Sequence, residues 1–265
     1  MMPQTTVIPK YLTVKQESKQ KTASMYIDGE IVTDEYYDTD TSAAGFRDAL
    51  KDLGDVKTIN LHINSPGGSV FEGIAIYNML KQNKAHINVY VDGLAASIAS
   101  VIAMSGDAIF MPSNSMLMIH NPWTMAIGNA SELRKQADDL DKITESSIQT
   151  YLDTAGDKLD EATLRQLMDD ETWLTAKEAV EYGLATEVIE PNKATASISK
   201  NFAQRYRHVP EQLIQAPAQK QQTNVQEDDE VFRKQLLERY QNNLKAINNE
   251  LQTMKEEQTH EFLSN

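Results

Sequence analysis

The sequence predicts an α/β layered domain over about residues 24–190. Two consecutive units lead to this prediction. An alternating strand at 58–63 is followed by a helix at about 70–82, and a second alternating strand at 87–91 is followed by a small-residue helix at 95–103. Strands that alternate with helices are typical of layered architectures in which helices cover a mostly parallel sheet.

The composition is that of a globular chain. Of its 265 residues, 40% are apolar and 24% are charged, which is enough for one good-sized core with an appendage. Because no run reaches the roughly 18 apolar residues of a membrane span, and the polar start lacks the apolar part of a signal peptide, we expect neither a membrane partner nor export.

Charge and cysteine content narrow the function classes further. The chain has no cysteine, which excludes disulfides, thiolate catalysis and cysteine-based metal sites and favours a reducing compartment such as the cytoplasm. The net charge of −14 gives no reason to expect a nucleic-acid partner, because phosphate backbones attract basic surfaces.

The first elements are predicted from short patterns. Residues 1–23 are expected to form a flexible N-terminal segment. Residues 23–32 alternate weakly and predict a first strand, and 43–53 predict a helix. The apolar residues of the strand at 58–63 share one face, and this strand is expected to end in the turn-forming run Asn64–Gly68.

The middle of the domain contains the second unit and two further short strands. Gly93 is expected to end the strand at 87–91, before the helix at 95–103. The runs 108–111 and 116–119 predict two strands. Because the second is apolar throughout, it is expected to be buried on both faces.

Helices dominate the last part of the domain. The sequence predicts a long helix at about 129–154, a shorter one at about 160–168 and a third at 176–182. The third ends at Gly183, a residue typical of the position just past a helix C-terminus.

The composition changes beyond Pro191. Residues 191–229 are rich in Gln, Asn, Ala and Lys without sustained periodicity, which predicts a flexible linker. Residues 230–265 predict an amphipathic helix or coiled coil, because apolar residues recur at spacings of three and four over 237–254. This seam would bind a partner helix, or the single helix would dock on its own domain.

Ser97 is the first candidate for catalysis. A serine hydroxyl becomes a nucleophile when a base takes its proton, a third group orients the base, and backbone N–H groups hold the oxyanion. Ser97 follows a predicted strand and a glycine and opens a helix, so its hydroxyl would face a cleft near free amides. The alternative is that small residues at this helix start only allow close packing.

His120 is the candidate base. It ends a buried strand, and Asn121-Pro122 directs the chain away from helix immediately after it. The alternative is a packed or capping histidine. The remaining histidines fit less well, since they lie on a polar strand face, before a strand, in the linker and in the tail: His62, His86, His208 and His260.

Two further parts complete the candidate site. The run Asp169-Asp170-Glu171 offers three carboxylates, although acidic runs are also common at solvated helix ends, and Thr175 could cap the next helix. Gly67-Gly68 lets the backbone approach a ligand and direct an N–H at it, although a simple turn uses the same pair. The amide of Ile98 would be the second oxyanion donor.

Four segments, in their order and spacing over about residues 24–190, carry a family resemblance: Ile63–Val70, Gly93–Ser97, Met118–Pro122 and Trp173–Leu184. Together they resemble the Clp protease proteolytic subunit (ClpP) family. The resemblance implies a crotonase-like spiral of β-β-α units, a homo-oligomeric ring, and hydrolysis of peptide bonds in a polypeptide substrate by a Ser-His-acid triad without cofactor or metal. It assigns Ser97 as nucleophile, His120 as base, and the amides of Gly68 and Ile98 as the oxyanion hole.

The chain departs from the family pattern at the third triad member. The family's aspartate stands two residues before an aromatic, and here Glu171, one methylene longer, stands two residues before Trp173. Glu171 with a shifted backbone is the preferred third member, and Asp170 is the alternative. Leu94, Ile98 and Asn121 also differ from the common family residues, mildly enough to leave the mechanism intact.

Pro122-Trp123, Glu171-Thr172-Trp173 and the long tail look more like the Clp-like proteases encoded beside phage capsid genes. This resemblance implies a serine endopeptidase that processes scaffold or capsid precursors during phage head maturation in the bacterial host cytoplasm. The alternatives are the proteolytic subunit of a host-type ATP-dependent Clp protease and a non-catalytic scaffold-binding ring protein with an impaired triad. A crotonase acting on acyl-CoA shares the fold but would not need the Ser97–His120 pair.

Overall fold

A computed structural model describes residues 12–13, 22–37, 39–191 and 203–214. It confirms the α/β class, with helices packed on a largely parallel sheet of eight strands. In these residues no helix is both long and apolar enough to cross a membrane.

Strands and helices are interspersed along the described part of the chain. The strands are β1 (Leu12–Thr13), β2 (Thr22–Ile31), β3 (Thr58–Gly68), β4 (His86–Ala96), β5 (Ala108–Pro112), β6 (Met116–Ile119), β7 (Thr172–Thr175) and β8 (Glu187–Ile189). The helices are α1 (Ala43–Asp52), α2 (Val70–Lys81), α3 (Ile98–Ala103), α4 (Ala130–Ala155), α5 (Glu161–Asp169) and α6 (Ala176–Glu181), with single 3₁₀ turns at Gly156–Lys158 and Glu211–Leu213.

The sheet branches at β4. Strands β2, β3, β4, β5 and β8 form a parallel path, and β1 pairs antiparallel with β2. β4 pairs with β5 through Asn88–Tyr90 and with β6 through Leu94–Ala96. Because β4 and β6 are parallel neighbours, their carboxyl ends meet at one edge of the sheet. The residues that follow these strands, Ser97 and His120, are thereby brought together.

The buried faces follow the predicted periodicity. Ile59, Leu61 and Ile63 on β3 have no exposed surface, while the residues between them are partly exposed. Burying a side chain of this size stabilises the fold by about 1.5–3 kcal/mol. Strand β6 is buried at Leu117 to Ile119, as its continuous apolar run predicts.

Strands β3 and β4 are longer than predicted. β3 continues through the expected turn to Gly68, with an irregularity in its pairing to β4 between Ile63 and Ser65. β4 passes through Gly93 and ends at Ala96, so the following helix begins at Ile98 rather than at residue 95. Pairing with neighbouring strands outweighs the local turn signal, and a glycine within a strand often marks such an irregularity or a close backbone approach.

The last part of the domain contains two strands that the sequence did not predict. β7 pairs antiparallel with β6, and β8 pairs parallel with β5. With four and three residues, both are too short to show a reliable period. The third predicted helix is confirmed with its Thr175–Glu178 capping box and with Gly183 at φ 76° just past its end.

Two segments that the sequence predicts to be flexible include residues that the structure places in a strand or against the domain. Within the N-terminal segment 1–23, β1 pairs with β2. Within the linker predicted at 191–229, residues 203–214 pack on the domain, burying Tyr206 and Leu213. The predicted amphipathic helix or coiled coil at 230–265 lies outside the described residues.

Candidate active site

Ser97 occupies a sharp turn between β4 and α3. Its φ of 56° and ψ of −128° are unusual for a residue with a side chain. Such a conformation costs about 1–3 kcal/mol, which contacts with the surrounding structure must offset. The Ser97 amide donates to the carbonyl of Met118 at 2.9 Å, and the Ser97 carbonyl accepts from the Ser100 amide at 2.9 Å. These bonds tie the turn to β6 and α3 and keep the hydroxyl on the surface of a cavity.

His120 contacts Ser97 directly. Its Nε2 lies 2.7 Å from Ser97 Oγ, within the range required of a nucleophile and its base. Burial lowers the pKa of His120 to about 4, partly opposed by the negative charge of Glu171. The imidazole is therefore neutral at pH 7, the state in which it can take a proton.

Of the two candidate carboxylates, Glu171 is the one that faces His120. Its side chain is 3% exposed, and its Oε2 lies 4.0 Å from His120 Nδ1. The backbone of Glu171 has a φ of 53°, in keeping with the shifted backbone expected for this longer side chain. Asp170 is exposed, and its carboxylate accepts a hydrogen bond from Gln166 Nε2 at 2.8 Å.

The Gly67-Gly68 segment lies against the turn that carries Ser97. Both glycines have positive φ, 92° and 148°. A Cβ on Gly67 would come within 2.6 Å of the Ala96 carbonyl oxygen and 2.8 Å of Ser97 Cβ. Only glycine allows this approach, because any side chain would collide with the turn that carries Ser97.

The two residues predicted to supply the oxyanion donors, Gly68 and Ile98, are the chain neighbours of Gly67 and Ser97. Gly68 lines the same cavity as Ser97 and His120. Ile98 is the first residue of α3, where the amide has no helical partner four residues earlier. If Gly67 carried a Cβ, the nitrogen of Ile98 would lie 3.3 Å from it. Both residues therefore lie beside Ser97.

The cavity beside Ser97 has a volume of about 260 Å³. Glu30 and Arg205 line one part and form an ion pair at 2.5 Å, and Val70 and Trp123 add apolar surface. The described residues contain no group of three histidine or acidic side chains arranged to bind a metal ion.

The sequence model of the Clp protease family matches residues 39–192. The chain belongs to the Clp protease family. It is 36% identical over 137 residues to an ATP-dependent Clp protease proteolytic subunit 1 from Protochlamydia amoebophila (strain UWE25), covering 50% of this chain and 66% of that protein. It is 38% identical over 136 residues to a proteolytic subunit 2 from Parasynechococcus marenigrum (strain WH8102), covering 51% and 68%. The predicted ClpP-like serine peptidase class is that of this family, and the phage type stays a prediction.

The other histidines lie in different surroundings. His62 stacks between Tyr26 and Tyr90 on β2 and β4, with its Nδ1 2.9 Å from Asp92. His86 is exposed at the start of β4, and His260 lies outside the described residues. His208 is close to the site, and the group that it contributes there is its backbone amide, which donates to Glu171.

Sequence reasoning missed residues 203–214, which lie beyond the part that matches the Clp protease family. The Tyr206 ring meets His120 edge-on, with centroids 5.4 Å apart, and Trp173 at 5.7 Å. Its hydroxyl donates to the carbonyl of Pro66, next to the paired glycines. The sequence pattern that could have indicated this packing is a set of apolar residues in an otherwise polar segment: Tyr206, Val209, Leu213 and Ile214.

Proposed function

We propose that this chain is a serine endopeptidase that hydrolyses peptide bonds in a polypeptide substrate, with Ser97 as nucleophile, His120 as base and Glu171 as the orienting carboxylate. The observation that carries the proposal is the 2.7 Å contact between Ser97 Oγ and His120 Nε2. The same contact favours an enzyme over a non-catalytic ring protein, and over a crotonase, which would not need this pair.

In the acylation step, Ser97 Oγ attacks the scissile carbonyl carbon while its proton passes to His120 Nε2. The amides of Gly68 and Ile98 stabilise the negative oxygen of the tetrahedral intermediate. Glu171 stabilises the imidazolium that forms, because its carboxylate faces Nδ1. The imidazolium then protonates the leaving amine, the C–N bond breaks, and an acyl ester remains on Ser97.

Deacylation repeats these roles with water as the nucleophile. His120 takes a proton from water, the resulting hydroxide attacks the ester carbonyl, and the proton returns to Ser97 Oγ as the C–O bond breaks. The product is a free carboxylate. No step requires a cofactor, since the residues supply nucleophile, base and oxyanion donors.

Peptide hydrolysis by Ser97→Ala tests the proposed activity. We expect cleavage of a fluorogenic peptide to fall at least about a thousandfold. The matched control is Ser146→Ala, since Ser146 is exposed on α4 and does not line the cavity beside Ser97. This control should keep activity within about threefold. Equal activity in the two variants would contradict the assignment.

For the biological setting, we propose processing of scaffold or capsid precursors in phage head maturation, by a homo-oligomeric ring in the bacterial host cytoplasm. The support is the resemblance at Pro122-Trp123, Glu171-Thr172-Trp173 and the tail beyond Pro191. Co-expression with phage capsid and scaffold precursors should give cleavage that Ser97→Ala abolishes. Deleting residues 230–265 should weaken scaffold association while peptide hydrolysis persists, if the seam at 237–254 binds the scaffold.

A second setting is the proteolytic subunit of an ATP-dependent Clp protease. It is favoured by the names of both similar proteins, which are ATP-dependent Clp protease proteolytic subunits. Degradation of a folded protein that requires a Clp ATPase and ATP would support this setting. Precursor cleavage without any ATPase would support head maturation.

A further inference from the structure

A short segment outside the Clp protease domain, residues 203–214, packs across the candidate active site, and we refer to it as the C-terminal strap. Two of its side chains, Tyr206 and Leu213, are buried at 9% and 6% exposure. They form an apolar cluster with residues of β4 and β6, namely Leu94, Ala96 and Met118. The strap is therefore anchored on β4 and β6, the strands that directly precede Ser97 and His120.

The strap binds the candidate catalytic carboxylate through its main chain. Glu171 Oε1 accepts hydrogen bonds from the amides of Arg207 at 2.7 Å and His208 at 2.8 Å. A carboxylate buried to 3% side-chain exposure is unfavourable unless hydrogen bonds replace those it made with water. Both donors to Oε1 come from the strap, so the strap offsets the burial of this charge.

These two bonds also fix the orientation of the carboxylate. With Oε1 held by the strap, Oε2 is the oxygen directed at His120 Nδ1. A glutamate has one more rotatable bond than the aspartate expected at this position, and its longer reach needs an external restraint to define one orientation. The positive φ of Glu171 likewise needs surrounding contacts to hold it.

Tyr206 links the strap to the other parts of the site. Its ring packs edge-on against His120, and its hydroxyl donates to the Pro66 carbonyl, one residue before Gly67-Gly68. The strap thus contacts the candidate base His120, the carboxylate of Glu171 and Pro66, which precedes the paired glycines.

We infer that the C-terminal strap is a positioning element of the active site, in which the amides of Arg207 and His208 hold Glu171 so that it orients His120. The inference rests on the proposed peptidase function. It gives the glutamate at this position a structural partner that lies outside the matched Clp protease domain.

The test removes the N–H of residue 207 and leaves the His208 N–H in place. Arg207→Pro eliminates the N–H donor together with the side chain. Arg207→Ala keeps the N–H and removes the same exposed side chain, whose positive charge lowers the pKa of His120, so the difference between the two variants reports the N–H alone. We expect the rate at which a fluorophosphonate modifies Ser97 to fall about 10- to 100-fold in the proline variant. The alanine variant should stay within about twofold of the parent chain.

A double-mutant cycle separates positioning from general damage. If the amide acts through the carboxylate, then in a Glu171→Ala background Arg207→Pro should change the modification rate by less than about twofold. Damage to the fold would lower the rate in both backgrounds. Equal rates for Arg207→Pro and Arg207→Ala in the parent background overturn the inference. A faster rate in the proline variant also overturns it and indicates a strap that blocks the site.

A second variant covers a failure of Arg207→Pro to fold, which circular dichroism would reveal. Leu213→Ala loosens the buried anchor of the strap and leaves both amides in place; Leu133→Ala on the exposed face of α4 is its control. We expect slower modification of Ser97 only in Leu213→Ala, and only while Glu171 is present. An unchanged rate overturns the inference, whereas a parent chain that is never modified at Ser97 contradicts the peptidase proposal itself.

Discussion

Ser97 and Glu171 share an unusual backbone conformation. Among the residues that the structure describes, they are the two non-glycine residues with positive φ, at 56° and 53°. Such conformations are unfavourable by about 1–3 kcal/mol and persist where surrounding contacts determine them, often at functional sites. Here the strand–helix turn holds Ser97, and the C-terminal strap binds the Glu171 side chain.

The pH dependence of activity should report the environment of His120. Because burial lowers its pKa to about 4, the imidazole stays neutral well below the ordinary histidine value of about 6.5. We expect the acidic limb of kcat/KM to lie below pH 6.5, with activity lost as the pH falls towards 4 and the base becomes protonated. Circular dichroism over the same range controls for acid unfolding.

Glu171→Gln should shift the acidic limb of kcat/KM to lower pH. The negative charge of Glu171 raises the pKa of His120 against the effect of burial, so its removal should shift the limb to lower pH and reduce kcat at least about a hundredfold. The control is Asp170→Asn, which alters an exposed carboxylate and should leave both quantities unchanged. Similar small effects in both variants would mean that neither carboxylate orients the base.

The paired glycines should tolerate no side chain. A Cβ on Gly68 would lie 2.0 Å from the Ile31 carbonyl oxygen, whereas one on Gly54, which also has positive φ at 63°, would have no atom within 4 Å. Gly54→Ala should therefore reduce the free energy of unfolding only by the backbone cost of about 1 kcal/mol. Gly68→Ala adds a main-chain collision and should cost at least about 2 kcal/mol more. Equal losses in urea denaturation would contradict this account.

At the scale of elements, α2 and α3 meet at a position where no side chain fits. A Cβ on Gly73 of α2 would lie 2.2 Å from Ile98 Cγ1. Exchange of glycine for alanine within a helix normally stabilises it by about 0.5–1 kcal/mol, but here the overlap should reverse the sign.

Thermal unfolding can test this contact with a rescue. Gly73→Ala should destabilise the chain by about 1–3 kcal/mol. Ile98→Ala removes the obstructing Cγ1 and Cδ1 atoms and leaves the Cβ of residue 98 at 3.3 Å, so in that background Gly73→Ala should be much less destabilising. If Gly73→Ala is equally harmful in both backgrounds, the two helices do not meet as described.

Periodicity predicted most elements but not their ends. The alternation of Ile59, Leu61 and Ile63 identified β3, and the continuous apolar run identified β6. The lengths of β3 and β4 depend on pairing between strands distant in sequence, which overrides a local signal such as Gly93. β7 and β8 exist through their pairing with β6 and β5, and no pattern within three or four residues could specify them.

The order and spacing of motifs predicted the central part of the site. The structure brings Ser97, His120 and Glu171 close together, and each follows an element that the sequence predicts, while their catalytic roles are proposals. The contribution of Tyr206, Arg207 and His208 was not predictable in the same way. Two of these residues act through backbone amides, which any residue except proline can supply, so their side chains carry no signal of the role.

At the scale of the whole molecule, the functional unit should end later than the family domain. The Clp protease match ends at residue 192, but the compact unit that contains this domain also includes the strap at residues 203–214. A chain ending at 216 should keep peptide hydrolysis within about threefold of the full chain. A chain ending at 191 should lose at least about tenfold, because the Glu171 donors are absent. Equal activity of the two truncations would contradict the extended boundary.

The central claim is that His120 activates Ser97 as a nucleophile, and the most direct measurement is mass-spectrometric mapping of the full chain after reaction with a fluorophosphonate. We predict one adduct, on Ser97, and its loss in His120→Ala under the same conditions. The control is His62→Ala, which removes a histidine that pairs with Asp92 elsewhere on the sheet and should keep the adduct. An adduct on another serine, or undiminished modification of Ser97 without His120, would contradict the account.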